Sequence, residues 1–182
     1  MDKKSAKLRT VDLVYIALMA TLMAVCSWIS IPATVEFTMQ TFAVFAALGR
    51  LGGKRALIAV CVYLLRGAIG LPVFAGFNGG LSALLGSTGG YLVGFLAMAL
   101  VYWLMTSLLG DSRWVRVGAM VLALLVCYAF GTAWFVVVYT RQAEAIGWMT
   151  ALGWCVFPFI IPDLLKLALA MVLTDRLAKR LQ

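Results

Sequence analysis

Long uncharged apolar runs alternate with short basic clusters along this chain. Leu13–Ile31 is 19 residues without a charge, enough at about 1.5 Å per helical residue to cross a hydrocarbon core of roughly 30 Å. Phe37–Leu48 is 12 uncharged residues, and Ala56–Ile69 carries only Arg66, near one end. No charge occurs for 44 residues from Gly67 to Gly110, Val117–Thr140 gives 24 more, and a final run from about Thr150 to Thr174 contains Asp163 and Lys166. The pattern predicts helices over about 11–31, 37–49, 55–69, 88–109, 115–139 and 150–174, with a connection over 70–87. It is the pattern of an all-α membrane protein forming a single membrane domain of six transmembrane helices.

The basic clusters decide the topology. They are Lys3, Lys4, Lys7 and Arg9; Arg50, Lys54 and Arg55; Arg113 and Arg116; and Arg176, Lys179 and Arg180. Six crossings with the N-terminus inside place all twelve on the inner side and leave only Arg66 and Arg141 outside. Omitting the short second crossing leaves six inside and eight outside, against the positive-inside rule. Six helices with both termini cytoplasmic is therefore the expected arrangement. The basic leader resembles a signal-peptide n-region, but the run that follows is long and ends at Ile31-Pro32 without an A-x-A site, so it reads as an uncleaved first helix.

Composition narrows the function. Of 182 residues, 64% are hydrophobic and 12% charged, with a mean hydropathy of +1.03, which excludes a soluble globular domain. Net charge is +8, but its placement makes it a topology signal with lipid contact as a side effect, and no nucleic-acid partner is inferred. Histidine is absent, which removes imidazole metal sites and His-based triads. Cys26, Cys61, Cys127 and Cys155 lie inside apolar runs without C-x-x-C spacing and read as small buried hydrophobes. Around Gly53-Lys54 the pattern G-x-x-x-x-G-K-[ST] fails, because Leu48 and Arg55 occupy two of its positions. No metal site and no ATP hydrolysis by this chain are expected.

The polar chemistry is sparse. Nine of the seventeen glycines fall between Gly67 and Gly94, so residues 70–87 are expected to form a structured, partly non-helical connection on the outer side. Such backbone lines a cavity at membrane depth, or is a flexible loop or a close helix contact. Phe74, Phe77 and Asn78 combine apolar walls with an amide there, which favours a site. Asp163 and Lys166, at i and i+3, share one face of the last helix near mid-membrane, where ionisable groups are expensive. They are either functional or an ion pair that fixes packing. Pro162 suits a helix start or kink after a broken stretch from Phe157. Gln40, between Thr38 and Thr41, must face the interior, as a site residue or as interhelical glue. Ala17, Ala20 and Ala24 form a small-residue face on the first helix, for contacts within the bundle or with another subunit.

These segments resemble a known family, the BioY proteins, the biotin-binding S-components of energy-coupling factor (ECF) vitamin transporters. The matching motifs are GLPVFAGFNGG at 70–80, STGGYLVGF at 87–95, FTMQTFAVF at 37–45 and PDLLK at 162–166. Ser87 stands where the family often has proline, and Pro162 where it often has glycine. The resemblance implies an ECF S-component-like fold of six helices in the bacterial cytoplasmic membrane. It also implies capture of biotin from outside, and work with a membrane-scaffold T-component and a pair of ABC-type ATPases, docking near Ala17, Ala20 and Ala24. By resemblance Asn78 and Asp163 meet the ureido group, Gln40 and Tyr91 support it, and Phe74 is an apolar wall. Lys166 either neutralises the valerate carboxylate or holds Asp163 and the ureido oxygen. Biotin is then a ligand, no cofactor is needed, and the chain is not an enzyme. The alternatives are an S-component for another vitamin, or an intramembrane enzyme with Asp163 as base and Lys166 as stabiliser. The second lacks a second buried carboxylate, a nucleophile with its base, or a metal set.

Overall fold

The computed structural model describes residues 9–32, 35–142 and 145–180. Helix α1 (Thr10–Trp28) leads through a hairpin of two-residue strands, β1 (Ser30–Ile31) and β2 (Phe37–Thr38), into α2 (Gln40–Leu51) and α3 (Gly53–Ala68). A 3-10 turn (Ala75–Phe77) and the short α4 (Leu81–Leu85) follow, then α5 (Gly89–Leu109), α6 (Arg113–Gln142), α7 (Trp148–Cys155) and α8 (Phe157–Arg180). Thr10–Trp28, Gly89–Leu109, Arg113–Arg141 and the pair α7–α8 over Trp148–Leu177 are long and apolar enough to cross a membrane.

Local chemistry explains the boundaries. At the start of α1, Asp12 Oδ2 accepts from the Arg9 backbone N–H at 3.1 Å, filling a position the first turn leaves open. Gly52 alone separates α2 from α3 with φ at +74°, a conformation that other residues adopt only with strain. The expected second helix starts three residues late. Phe37 and Thr38 are extended instead, pairing Ile31 with Phe37 and Ser30 with Thr38, and the Thr38 hydroxyl accepts from the Gln40 N–H at 3.3 Å. Gln40 is thus the first residue of α2, held at the mouth of the helix.

The expected last helix is two. The chain breaks at Val156 (φ −125°, ψ −58°), and Pro162 lies inside α8 rather than starting it. Pro158 explains the shift: it occupies the second position of α8, where an N–H would have no intrahelical acceptor. Pro162 then removes a single hydrogen bond, to the carbonyl of residue 158.

Ion pairs gather helix ends at one end of the bundle. Arg55 meets Asp12 at 3.2 Å, and Arg113 meets Asp175 at 3.8 Å. Gly49 faces Thr174, and Gly53 faces Trp103 closely enough that an added Cβ would lie 2.3 Å from its Cβ. This links the starts of α1, α3 and α6 to the ends of α2, α5 and α8. Arg9, Arg50, Lys54, Arg55, Arg113, Arg116 and Arg176 therefore cluster at one end. Lys3, Lys4 and Lys7 lie outside the described residues, as do the side chains of Lys179 and Arg180. The core between these helices is built on Met23, Phe45, Leu48, Tyr63, Met98, Tyr102 and Met120. Ala20 and Ala24 are 1% and 6% exposed, packed inside the bundle, whereas Ala17 is exposed. The three alanines do not form one open docking face.

Candidate binding cavity

At the opposite end, a cavity of about 430 Å³ opens among α2, the 70–87 connection, α5, α6 and α8. Gln40, Phe74, Asn78, Tyr91, Asp163 and Lys166 all line it. The tertiary structure thus brings together six residues spread over 127 positions of sequence. Their depths differ. Asp163 and Lys166 are 2% and 5% exposed, Gln40 and Phe74 are buried, and Asn78 is open at the rim.

The polar floor is an Asp–Lys pair with its hydrogen bonds filled from three elements. Lys166 Nζ donates to Asp163 Oδ1 at 2.8 Å, to the Thr38 carbonyl at 2.7 Å and to Thr41 Oγ1 at 3.1 Å. An ammonium has three protons, so all are in use. Its charge also lies 4.0 Å from the centre of the Phe37 ring, a cation–π contact. Thr41 Oγ1 donates to Asp163 Oδ1 at 2.8 Å, and Tyr128 Oη donates to Asp163 Oδ2 at 2.6 Å. Removing two ions from water is costly, and only a pair compensated in this way is tolerated. Among the described residues lining the cavity Lys166 carries the only positive charge, and Asp163 neutralises it.

A second chain of bonds runs from Thr38 Oγ1 to Gln40 Oε1 at 3.1 Å, from Gln40 Nε2 to Tyr63 Oη, and from Tyr63 Oη to the Val73 carbonyl at 3.0 Å. It ties the start of α2 to the loop that carries Phe74. Phe74 packs edge-on against Tyr63, with centroids 5.5 Å apart. Its ring fits because residue 67 is glycine; a Cβ there would lie 1.9 Å from Phe74 Cζ. Trp28 holds the same loop from α1, donating Nε1–H to the Pro72 carbonyl at 2.9 Å and stacking on Phe77 at 5.2 Å. Tyr91 Oη pairs with Thr132 Oγ1 at 2.9 Å. Asn78 folds back on its own turn, donating to the Ala75 carbonyl at 3.0 Å.

Sequence reading missed Tyr128, Thr41 and Glu36 as lining residues, and Tyr63 as the support behind Gln40 and Phe74. Tyr128 and Thr132 stand at i and i+4 in the otherwise apolar middle of α6, over 117–138. That spacing was a usable signal for one polar face turned to the interior.

The BioY family model matches residues 1–182. The chain is 39% identical over 171 residues to the biotin transporter BioY of Thermotoga maritima, covering 92% of this chain and 96% of that protein. It is 36% identical over 163 residues to the probable biotin transporter BioY of Pyrococcus horikoshii, with 89% and 93% covered. Its fold matches the crystal structure of the S-component for biotin from an ECF-type ABC transporter. The TM-score is 0.82 at 27% identity, over 96% of this chain and 94% of that one.

Proposed function

Since the chain belongs to the BioY family, matched over its whole length, we propose that it is the biotin-specific S-component of an ECF transporter. The observation that carries the reading is the cavity itself, with an acceptor carboxylate on its floor and apolar walls above. Biotin has a ureido head with two N–H donors and one carbonyl, an apolar thiophane ring, and a valerate tail ending in a carboxylate. Asp163 takes a ureido N–H. Phe74, with Leu92, Phe95 and Leu124 along the cavity, covers the thiophane. Gln40 and Tyr91 complete the polar contacts, and Asn78 approaches from the rim. Lys166, with its protons committed to Asp163, Thr38 and Thr41, holds Asp163 in place, which favours that role over neutralising the tail.

The topology proposed is six crossings, α1, α2, α3, α5, α6 and α7–α8, with the basic end in the cytoplasm of a bacterial cell and the cavity facing outward. At 12 residues, α2 measures about 18 Å. Local bilayer thinning and snorkelling by Arg50 accommodate it. Uptake is driven by separate ATPase subunits through a T-component, because this chain has no phosphate loop. The T-component is placed on the open side of α1, where Val14, Ala17 and Leu18 are exposed. The chain binds and delivers biotin without transforming it.

Titration calorimetry of the purified chain with biotin, thiamine and riboflavin tests the reading. Saturable one-to-one binding of biotin alone is expected. Binding of either other vitamin in preference to biotin overturns it.

A further inference from the structure

The Asp163 carboxylate offers about four lone-pair positions, and three are filled before any ligand arrives. Oδ1 accepts from Lys166 Nζ and Thr41 Oγ1, each at 2.8 Å. Oδ2 accepts from Tyr128 Oη at 2.6 Å. The donors to Oδ1 stand on α2 and α8 and the donor to Oδ2 on α6, so the two oxygens are pinned from opposite sides and neither side-chain torsion is free. Tyr128 and Asp163 both line the cavity. The one unfilled position is on Oδ2, beside the tyrosine.

We propose that Tyr128 is a positioning residue that sets ligand selectivity: by occupying half of Oδ2 it leaves the Asp163 carboxylate a single free acceptor position, fitted to one N–H of a neutral head group and closed to a cationic one. The inference rests on the biotin reading and deepens it. A lone N–H from a neutral urea needs one acceptor in a fixed direction. A guanidinium head is planar, carries several donors and is strongest against a carboxylate that can meet it with two free oxygens. In this site Oδ1 is blocked, Oδ2 is half occupied, and the charge is already offset by the Lys166 ammonium. Removing the tyrosine hydroxyl opens a second position on Oδ2 and takes away one donor that compensates the charge. Biotin then loses a pre-oriented acceptor, while a cationic head gains one.

The test compares biotin with 2-iminobiotin, in which a guanidine, protonated at neutral pH, replaces the urea. Affinities of both for the native 182-residue chain and for Tyr128→Phe are measured by titration in detergent. In the variant, biotin is expected to bind about tenfold more weakly, and the ratio of 2-iminobiotin to biotin affinity to rise by about tenfold. An unchanged ratio, with both ligands weakened alike or neither affected, overturns the proposal and leaves Tyr128 a packing residue. Should Tyr128→Phe not remain monodisperse, Thr41→Val removes a donor from Oδ1, and the same rise in the ratio is required of it. Absence of biotin binding by the native sequence would instead remove the functional reading on which the inference stands.

Discussion

Asp163 and Lys166 meet through Oδ1, and their energetics are those of a buried pair rather than of two separate contacts. Losing one partner strands the other charge out of water, which costs about 3–5 kcal/mol, whereas replacing both with apolar side chains of similar volume is often neutral. Lys166→Met is therefore expected to lower the thermal unfolding midpoint markedly. The double variant Asp163→Leu/Lys166→Met should regain most of that loss and bind no biotin. A midpoint for Lys166→Met equal to that of the native sequence would show that the pair is not charged as drawn. Asp163→Asn keeps the volume but exchanges a charged acceptor for a neutral amide. Hydrogen bonds to charged groups contribute about 1.5–3 kcal/mol, so biotin affinity should fall roughly ten- to a hundredfold, read by calorimetry.

The element that shapes the cavity is the loop after α3, and its fit depends on one close approach. In isolation Gly67→Ala favours the helix by about 1 kcal/mol. Here the added Cβ would stand 1.9 Å from Phe74 Cζ, and overpacking costs about 1–3 kcal/mol. The two effects largely cancel in stability, but Phe74 must move, and it lines the cavity. The expected outcome is a small change in the unfolding midpoint with biotin binding weakened by about tenfold or more. A variant that binds as tightly as the native sequence would show that Phe74 is not a wall of the occupied site.

Across the whole molecule, the ion pairs and small-residue contacts collect Arg9, Arg50, Lys54, Arg55, Arg113, Arg116 and Arg176 at one end and the cavity at the other. That polarity predicts labelling in intact cells. In a background with the four cysteines replaced by alanine, Arg55→Cys and Ser112→Cys should resist an impermeant thiol reagent, and Ser82→Cys, exposed on the cavity rim, should react and be protected by biotin. Reaction at Ser112 with none at Ser82 would invert the orientation. Glu144, a natural probe for the outer connection between α6 and α7, lies outside the described residues.

Much of this was legible in residue order because the bilayer imposes rules that act along the chain. Length and hydropathy mark the long helices, basic residues mark one end, and a charge within an apolar run identifies Asp163 and Lys166 before any partner is known. Tertiary structure decided what depends on contacts between distant segments. Gln40 starts α2 because Phe37 and Thr38 pair with Ile31 and Ser30. Ala20 and Ala24 serve the interior because α2 and α3 close over that side of α1, a choice that small-residue spacing leaves open. The break at Val156 follows from Pro158, the less conspicuous of two prolines. Thr41 and Tyr128, 122 and 35 residues from Asp163 in the chain, reach the same carboxylate only once α2, α6 and α8 have packed. The hydrogen bonds that satisfy a buried charge are set by proximity in space, and periodicity along one helix carries no record of which neighbour will supply them.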